Sequence, residues 1–232
     1  MNATAIIVAA GEGRRIGGDT PKIFLPLCGR AVILRTLDRF FSASRISRIV
    51  LVVAADQLSR AAALLQADAA AKGRPWVLQT GGATRQESVR RGLEKAGTET
   101  DIIAIHDGAR PFVSPALIDR CVEAARDKGA VAVGLPARDT IKIVAADRWV
   151  ETTPPRAALW EIQTPQVFLR EIIADAHAWA ARENIAATDD AMLVEKKGGR
   201  VFILDGERTN FKITLPDDVW LAKTLIRQGR IL

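Results

Sequence analysis

Three observations predict an α/β fold: a mostly parallel sheet with helices on both faces. Short apolar runs alternate with helix-length segments of 3.6 period, the rhythm of repeated β-α units. The runs are continuous rather than alternating in polarity, as expected of strands buried on both faces. The first run, Ala5-Ile6-Ile7-Val8-Ala9, ends abruptly in Ala10-Gly11-Glu12-Gly13-Arg14-Arg15, a glycine-containing loop rich in fixed positive charge.

In order, strands are expected at Ala5 to Ala9, Ile49 to Val53, Trp76 to Gln79, Ile102 to His106 and Ala130 to Leu135. Helices are expected between them from Ala31 to Phe41, Gln57 to Ala71, Arg85 to Ala96 and Pro115 to Lys128. The rhythm breaks after Leu135. From Arg138 to Ala158 two short apolar stretches flank the polar turn Ala145-Ala146-Asp147-Arg148, and Pro154-Pro155 follows. This reads as a β-hairpin arm over about 138–158 that projects from the sheet. A lone hairpin is marginal in water, so the arm is expected to pack on something, such as another subunit. Helices from Arg170 to Arg182, Asp189 to Lys196 and Asp217 to Arg230, with a strand from Arg200 to Leu204, complete a single Rossmann-like domain over 1–232.

Composition narrows the function. With 48% apolar and 26% charged residues the chain has the makeup of a globular protein with a sizeable core. No apolar run approaches the roughly 20 residues that span a bilayer, so no membrane partner is expected. Met1-Asn2-Ala3-Thr4 carries no basic n-region, and the two distant cysteines, Cys28 and Cys121, have no metal-like spacing. Both point to a reducing cytoplasm. A net charge of +6 favours anionic partners. Nucleic acid is not expected, because the chain has no tyrosine, few aromatic platforms and no long basic run. Small phosphorylated ligands fit the dispersed charge.

Ligands of open α/β sheets bind beyond the carboxyl ends of the strands. After the first strand, Gly11 and Gly13 permit close backbone approach, and Arg14, Arg15 and Lys22 supply cations, a combination suited to a polyphosphate. After the third comes Thr80-Gly81-Gly82-Ala83-Thr84-Arg85-Gln86-Glu87-Ser88. It reads both as a donor and acceptor surface for a base or sugar and as a turn capped by Thr84, with Glu87 closing a capping box. After the fourth comes His106-Asp107-Gly108-Ala109-Arg110-Pro111, where Asp107 is placed to hold a phosphate-bound Mg²⁺. Arg110 either bridges a carboxylate as structure or orients Asp107. His106 is read as a hydrogen-bonded structural residue rather than a general base, and His177, in mid-helix, as a surface residue. A second anion site is expected from Arg138-Asp139-Thr140, Arg156, Thr164-Pro165-Gln166, Thr188-Asp189-Asp190 and Asn210-Phe211-Lys212-Ile213-Thr214, with Thr188-Asp189 doubling as a helix cap.

In order and spacing these motifs resemble those of the 2-C-methyl-D-erythritol 4-phosphate cytidylyltransferases. The likeness runs from about Ala5 to Asp217, with Val8 where many members have proline and Ala83 where an acidic residue is common. The resemblance implies transfer of a cytidylyl group from CTP to 2-C-methyl-D-erythritol 4-phosphate with release of pyrophosphate, a step of non-mevalonate isoprenoid precursor synthesis, in a homodimer whose arms interlock. It implies Mg²⁺ at Asp107, with Arg15, Lys22, Arg156 and Lys212 as catalytic residues. The nucleotide would meet Ala9, Ala10, Gly11, Gly13, Gly82, Ser88 and Asp107. The acceptor would meet Arg110, Thr140, Arg156, Thr164, Thr188 and Lys212. The rivals are a cytidylyltransferase for another polyol phosphate, such as ribitol 5-phosphate, a dinucleotide-dependent oxidoreductase and a nucleotide-binding scaffold. Ile16, where the dinucleotide fingerprint needs a third glycine, argues against the oxidoreductase.

Overall fold

The computed structural model describes residues 1–11 and 20–231. In chain order the strands and helices are β1 (Ala3–Ala9), β2 (Pro26–Leu27), β3 (Arg30–Ala31), α1 (Val32–Ser42), β4 (Ile46–Val53), α2 (Leu58–Ala67), β5 (Trp76–Thr80), α3 (Arg85–Ala96), β6 (Ile102–Asp107), α4 (Pro115–Lys128) and β7 (Ala130–Pro136). There follow β8 (Ile143–Val144), β9 (Val150–Thr152), β10 (Trp160–Leu169), α5 (Arg170–Arg182), α6 (Asp190–Lys196), β11 (Phe202–Asp205) and α7 (Pro216–Arg227). Among the described residues no helix is long and apolar enough to cross a membrane.

Seven strands form one sheet in the order β11-β7-β10-β6-β1-β4-β5. All neighbours run parallel except β10, which lies antiparallel to both β6 and β7. The continuous apolar strands divide by parity between two cores. Ala5, Ile7, Ile49, Leu51 and Val53 meet α1, α2 and α4 on one face, while Ile6, Val50 and Val52 meet α3, α5 and α6 on the other. A third cluster seats α7 on β2 and the start of α1 through Ala222, Leu27 and Val32. The expected two-faced sheet is therefore present.

From β1 the chain crosses to β4 and β5 on one side, then returns through α3 to β6 on the other. This reversal between β1 and β6 opens the crevice that such sheets use for ligands. In the register of this pair Val8 lies opposite Asp107, so the loop after β1 and the Asp107 side chain share one sheet edge. Close packing holds α3 beneath that edge. A Cβ on Gly92 would lie 2.5 Å from Ile6 Cγ2 and 3.2 Å from Val52 Cγ2.

Two features depart from the expected elements. β10 was not among the expected strands, because Pro165 and the polar residues Glu161, Gln163, Thr164 and Gln166 break its apolar pattern. His177 is buried rather than on the surface, at 2% exposure. It shares the inward stripe of α5 with Ile173, Ala176 and Ala180. The arm is present as β8 and β9, joined through the Ala145–Arg148 turn, with Arg148 at φ 72°. It rises from the ends of β7 and β10, where Ala137 N–H donates to Leu159 O at 2.9 Å. Cys121 is buried, which pushes its thiol up to about 12, and Cys28 is exposed; neither is bonded to the other.

Gly92→Ala tests the α3 packing. Alanine gains about 1 kcal/mol of helix propensity, but crowding Ile6 costs roughly 1–3 kcal/mol. Urea unfolding should give a variant less stable than the parent; equal or greater stability would show that α3 can retreat freely.

Candidate active site

A cavity of about 370 Å³ opens at the β1–β6 reversal, within the size range of small-molecule sites. The backbone after β1 contributes Ala9, Ala10 and Gly11. Lys22 lies on a second wall, at the start of a 3-10 turn whose next two residues, Ile23 and Phe24, are buried in the core and anchor it. Gly13, Arg14 and Arg15 lie outside the described residues.

The loop after β5 supplies the third wall. A Cβ on Gly81 would come within 2.4 Å of Ala10 Cβ and 2.9 Å of Ser88 Oγ, so a glycine lets the β1 and β5 loops touch. Ser88 Oγ accepts the Gly82 N–H at 3.1 Å and donates to Thr84 O at 2.9 Å, fixing the strand-to-helix bend. Thr84 caps α3 as expected, its Oγ1 accepting the Glu87 N–H at 3.0 Å. Glu87 closes the loop differently from a capping box: its carboxylate accepts the Ala83 N–H at 2.9 Å, one residue before the cap.

Among the described residues Asp107 is the carboxylate that lines the cavity. Its Oδ1 accepts from Arg85 Nε at 3.2 Å, and its Oδ2 lies 2.8 Å from Lys212 Nζ and 3.7 Å from Arg110 Nε. Burial alone would raise its pKa, but Arg85, Lys212 and Arg110 outweigh that and hold it well below the usual carboxylate range. Lys212 is brought there by its neighbours: Ile213 is fully buried, and its N–H donates to Ala109 O at 2.8 Å. Asp218 accepts the Thr214 and Leu215 N–H groups, both at 2.7 Å, at the start of α7. Arg110 is tied to the same segment, donating from Nη1 to Asn210 O at 2.8 Å, so it both bridges structure and faces Asp107.

His106 has the structural role expected of it. Its Nε2 lies 3.0 Å from the Arg110 carbonyl oxygen, which accepts only, so Nε2 carries the proton. Thr164 Oγ1 is 3.0 Å from Nδ1 and accepts the Asp107 N–H at 3.1 Å. With the imidazole neutral, the Thr164 hydroxyl donates to Nδ1. A single chain of bonds thus fixes Asp107 from behind, and burial lowers the His106 pKa to about 4.

Of the residues singled out from sequence, Ala9, Ala10, Gly11, Lys22, Gly82, Ser88, Asp107 and Lys212 line the cavity together. Thr164 is buried behind it with its hydroxyl committed to Asp107 and His106. Thr140 and Arg156 stand exposed on the arm, where Arg156 Nη1 donates to Arg138 O at 2.9 Å. Thr188 is exposed before α6, and the helix cap is Asp189, whose Oδ1 accepts the Met192 N–H at 2.9 Å. Within one chain these exposed residues do not join the cavity. Asp190, expected in an anion site, instead pairs with Arg85 at 2.7 Å.

Mg²⁺ is compatible with this donor set. Among the described residues no group of three or more His, Cys, Asp or Glu side chains could form a protein cage. One carboxylate facing an open cavity matches an ion that keeps its waters and takes phosphate oxygens as its other ligands.

The reversal crevice, glycine-lined loops and cation-flanked carboxylate define the chain as an α/β protein built to bind a phosphorylated nucleotide. Comparison with known proteins makes this specific: residues 3–228 match the family described as IspD, 2-C-methyl-D-erythritol 4-phosphate cytidylyltransferase. The chain belongs to that family. It is 43% identical over 230 residues to the enzyme of that name from Syntrophotalea carbinolica, covering 97% of both chains. Among solved structures, the 4-diphosphocytidyl-2C-methyl-D-erythritol synthase of Anaerococcus prevotii matches with a TM-score of 0.87 and 30% identity, covering 97% of this chain and 96% of that one. The 2-C-methyl-D-erythritol 4-phosphate cytidylyltransferase of Thermus thermophilus matches at 0.79 and 36%, covering 98% and 100%.

The buried imidazole gives a pH test. The unfolded chain binds a proton at His106 near pH 6.5, whereas the folded chain does so only near about 4. Between those values the unfolded state holds more protons, so the His106 contribution to stability is fully present above pH 6.5 and is lost as pH drops toward 4, by roughly 3 kcal/mol. Urea titrations across this window should show that slope and its absence in His106→Gln. The same slope in both proteins would assign it to another group.

Proposed function

We propose that this protein transfers the cytidylyl group of CTP to 2-C-methyl-D-erythritol 4-phosphate and releases pyrophosphate. The observation that carries the reading is the Asp107–Arg85–Lys212 cluster lining one cavity with the Ala9–Gly11 backbone and Lys22, in a chain of this family.

The acceptor phosphate is already anionic near neutral pH, so no strong base is needed. An acceptor phosphate oxygen attacks the α-phosphorus of CTP as the bond to pyrophosphate breaks. The obstacles are repulsion between two polyanions and the charge that grows on the α-phosphoryl and leaving oxygens. Positioned cations answer both. Lys22 and Lys212 both line the cavity and would supply two of these cations, and the family resemblance implies Arg15 as a third. The backbone of Ala9, Ala10, Gly11 and Gly82, with Ser88, would hold the nucleotide, and the family resemblance adds Gly13 to that set. Asp107 would hold Mg²⁺, which supplies charge neutralisation of the triphosphate when bound.

Arg110, Thr140, Arg156, Thr188 and Lys212 form the acceptor side of the proposal, with Thr164 supporting the site from behind Asp107, and the arm brings Thr140 and Arg156 to a partner's cavity in a homodimer. Support for the dimer lies in the arm itself: Ile143, Val144, Val150 and Trp149 are exposed, Trp149 at 76%, a clustered apolar surface of the kind that marks an interaction site. Unpaired cysteines fit a cytoplasmic enzyme.

Pyrophosphate release from CTP with 2-C-methyl-D-erythritol 4-phosphate, compared with ribitol 5-phosphate and with chelator present, tests the activity. Turnover with the first acceptor and its loss on chelation are expected; equal turnover with ribitol 5-phosphate would favour the rival. Lys22→Ala should lower kcat by about two to three orders of magnitude, since one preorganised charge contact is worth roughly 3–4 kcal/mol. Near-normal turnover would remove Lys22 from the transition state. Arg156→Ala should raise the acceptor KM with little change in CTP affinity. Trp149→Asp should shift sedimentation toward monomer, and an unchanged oligomeric state would detach the arm from assembly.

A further inference from the structure

Behind the cavity wall lies a buried pair, Asp190 and His177, to which the reaction just described gives no role. Arg85 uses two faces of its guanidinium. Nε points forward to Asp107 Oδ1 at 3.2 Å, and Nη1 points back to Asp190 Oδ2 at 2.7 Å. The other oxygen of Asp190 accepts from His177 Nε2 at 3.0 Å. Asp190 and His177 are 1% and 2% exposed, and neither lines the cavity. Nε2 must donate, because an ionised carboxylate only accepts. Burial alone would raise the Asp190 pKa, yet Arg85 and His177 outweigh it and lower it, so the ionised form is the one present.

The placement of Asp190 is itself enforced. Gln166 Oε1 accepts the N–H groups of Asp190 and Ala191 at 3.1 and 3.0 Å, while Gln166 Nε2 donates to Asp189 at 2.8 Å. A cation in the first turn of α3, where Arg85 sits, opposes the helix dipole. Two carboxylates offset this, one within the cavity and one behind it. A single carboxylate would leave the guanidinium free to rotate about its bond to Asp107.

We propose that Asp190 and His177 are positioning residues for the nucleotide half of the site, acting through Arg85 to hold Asp107 in its working orientation. The role in turnover rests on the cytidylyltransferase reading; the coupling between nucleotide and His177 does not. Supporting residues behind a metal- or phosphate-binding carboxylate commonly cost about ten- to hundredfold when removed.

The chain contains two histidines, His106 and His177, so both imidazoles can be followed by ¹H–¹⁵N NMR and assigned with single variants. Adding CTP with Mg²⁺ should move the His177 ring signals, and 2-C-methyl-D-erythritol 4-phosphate alone should not. In Asp190→Asn the response to CTP should be lost. In steady-state assays His177→Leu and Asp190→Asn should lower kcat/KM for CTP about ten- to hundredfold with the acceptor KM within about twofold, and His177→Gln, which restores a donor, should recover most of the loss. A His177 signal indifferent to CTP, unchanged CTP kinetics in Asp190→Asn, or equal impairment of His177→Gln and His177→Leu would each overturn the proposal. If His177→Leu does not fold, Asp190→Asn and the NMR response decide it. A parent protein that shifts His177 on binding CTP but releases no pyrophosphate would instead overturn the assigned activity.

Discussion

The structure depends on a carboxylate kept ionised at the rim of a polyanion site. Asp107 ends β6 at the sheet edge, where a lone negative charge would repel phosphate and pay for its own burial. Arg85, Arg110 and Lys212 reverse both effects. They keep the carboxylate charged while leaving the local balance positive, so the same cluster suits a polyanionic ligand and, on the proposed reading, a divalent cation beside it. Each cation comes from a different segment: the start of α3, the turn after β6 and the loop before α7. The cluster therefore also ties together the two halves of the sheet.

β10 acts as the ruler for this arrangement. Running against its neighbours, it presents Thr164 and Gln166 toward the two acidic residues that flank Arg85. Thr164 bonds the backbone N–H of Asp107, and Gln166 bonds that of Asp190. Its pairing with β7 slips between Gln163 and Gln166, the kind of irregularity that re-aims side chains beside functional sites. The polar residues that disguise β10 as a loop are the ones that hold the site.

Much of the fold was legible because both faces of the sheet are buried, which writes the parallel strands as apolar runs and the helices as periodic ones. The cavity-lining residues were legible for a related reason: they lie at or beyond strand ends, where the chemistry of Gly11, Asp107 and Lys22 exceeds what a turn requires. The supporting residues were not. His177 looks like a surface histidine until its neighbours Ile173, Ala176 and Ala180 are read as one stripe, and Asp190 is masked by the adjacent cap, Asp189. Arg85 carried the available signal, since a cation opening a helix calls for nearby carboxylates. Nothing in the sequence spacing identifies which ones, because Asp107 and Asp190 reach it from distant segments. The family resemblance supplied acceptor residues on the arm that a single chain keeps apart from the cavity.

The direct test is the titration of the Asp107 side chain, followed by ¹³C NMR of its carboxyl carbon in the free protein. A carboxylate held between Arg85, Arg110 and Lys212 should remain ionised through the ordinary aspartate midpoint of about 3.9, until the fold itself gives way. A normal titration curve near that midpoint, in a protein still folded, would contradict the account.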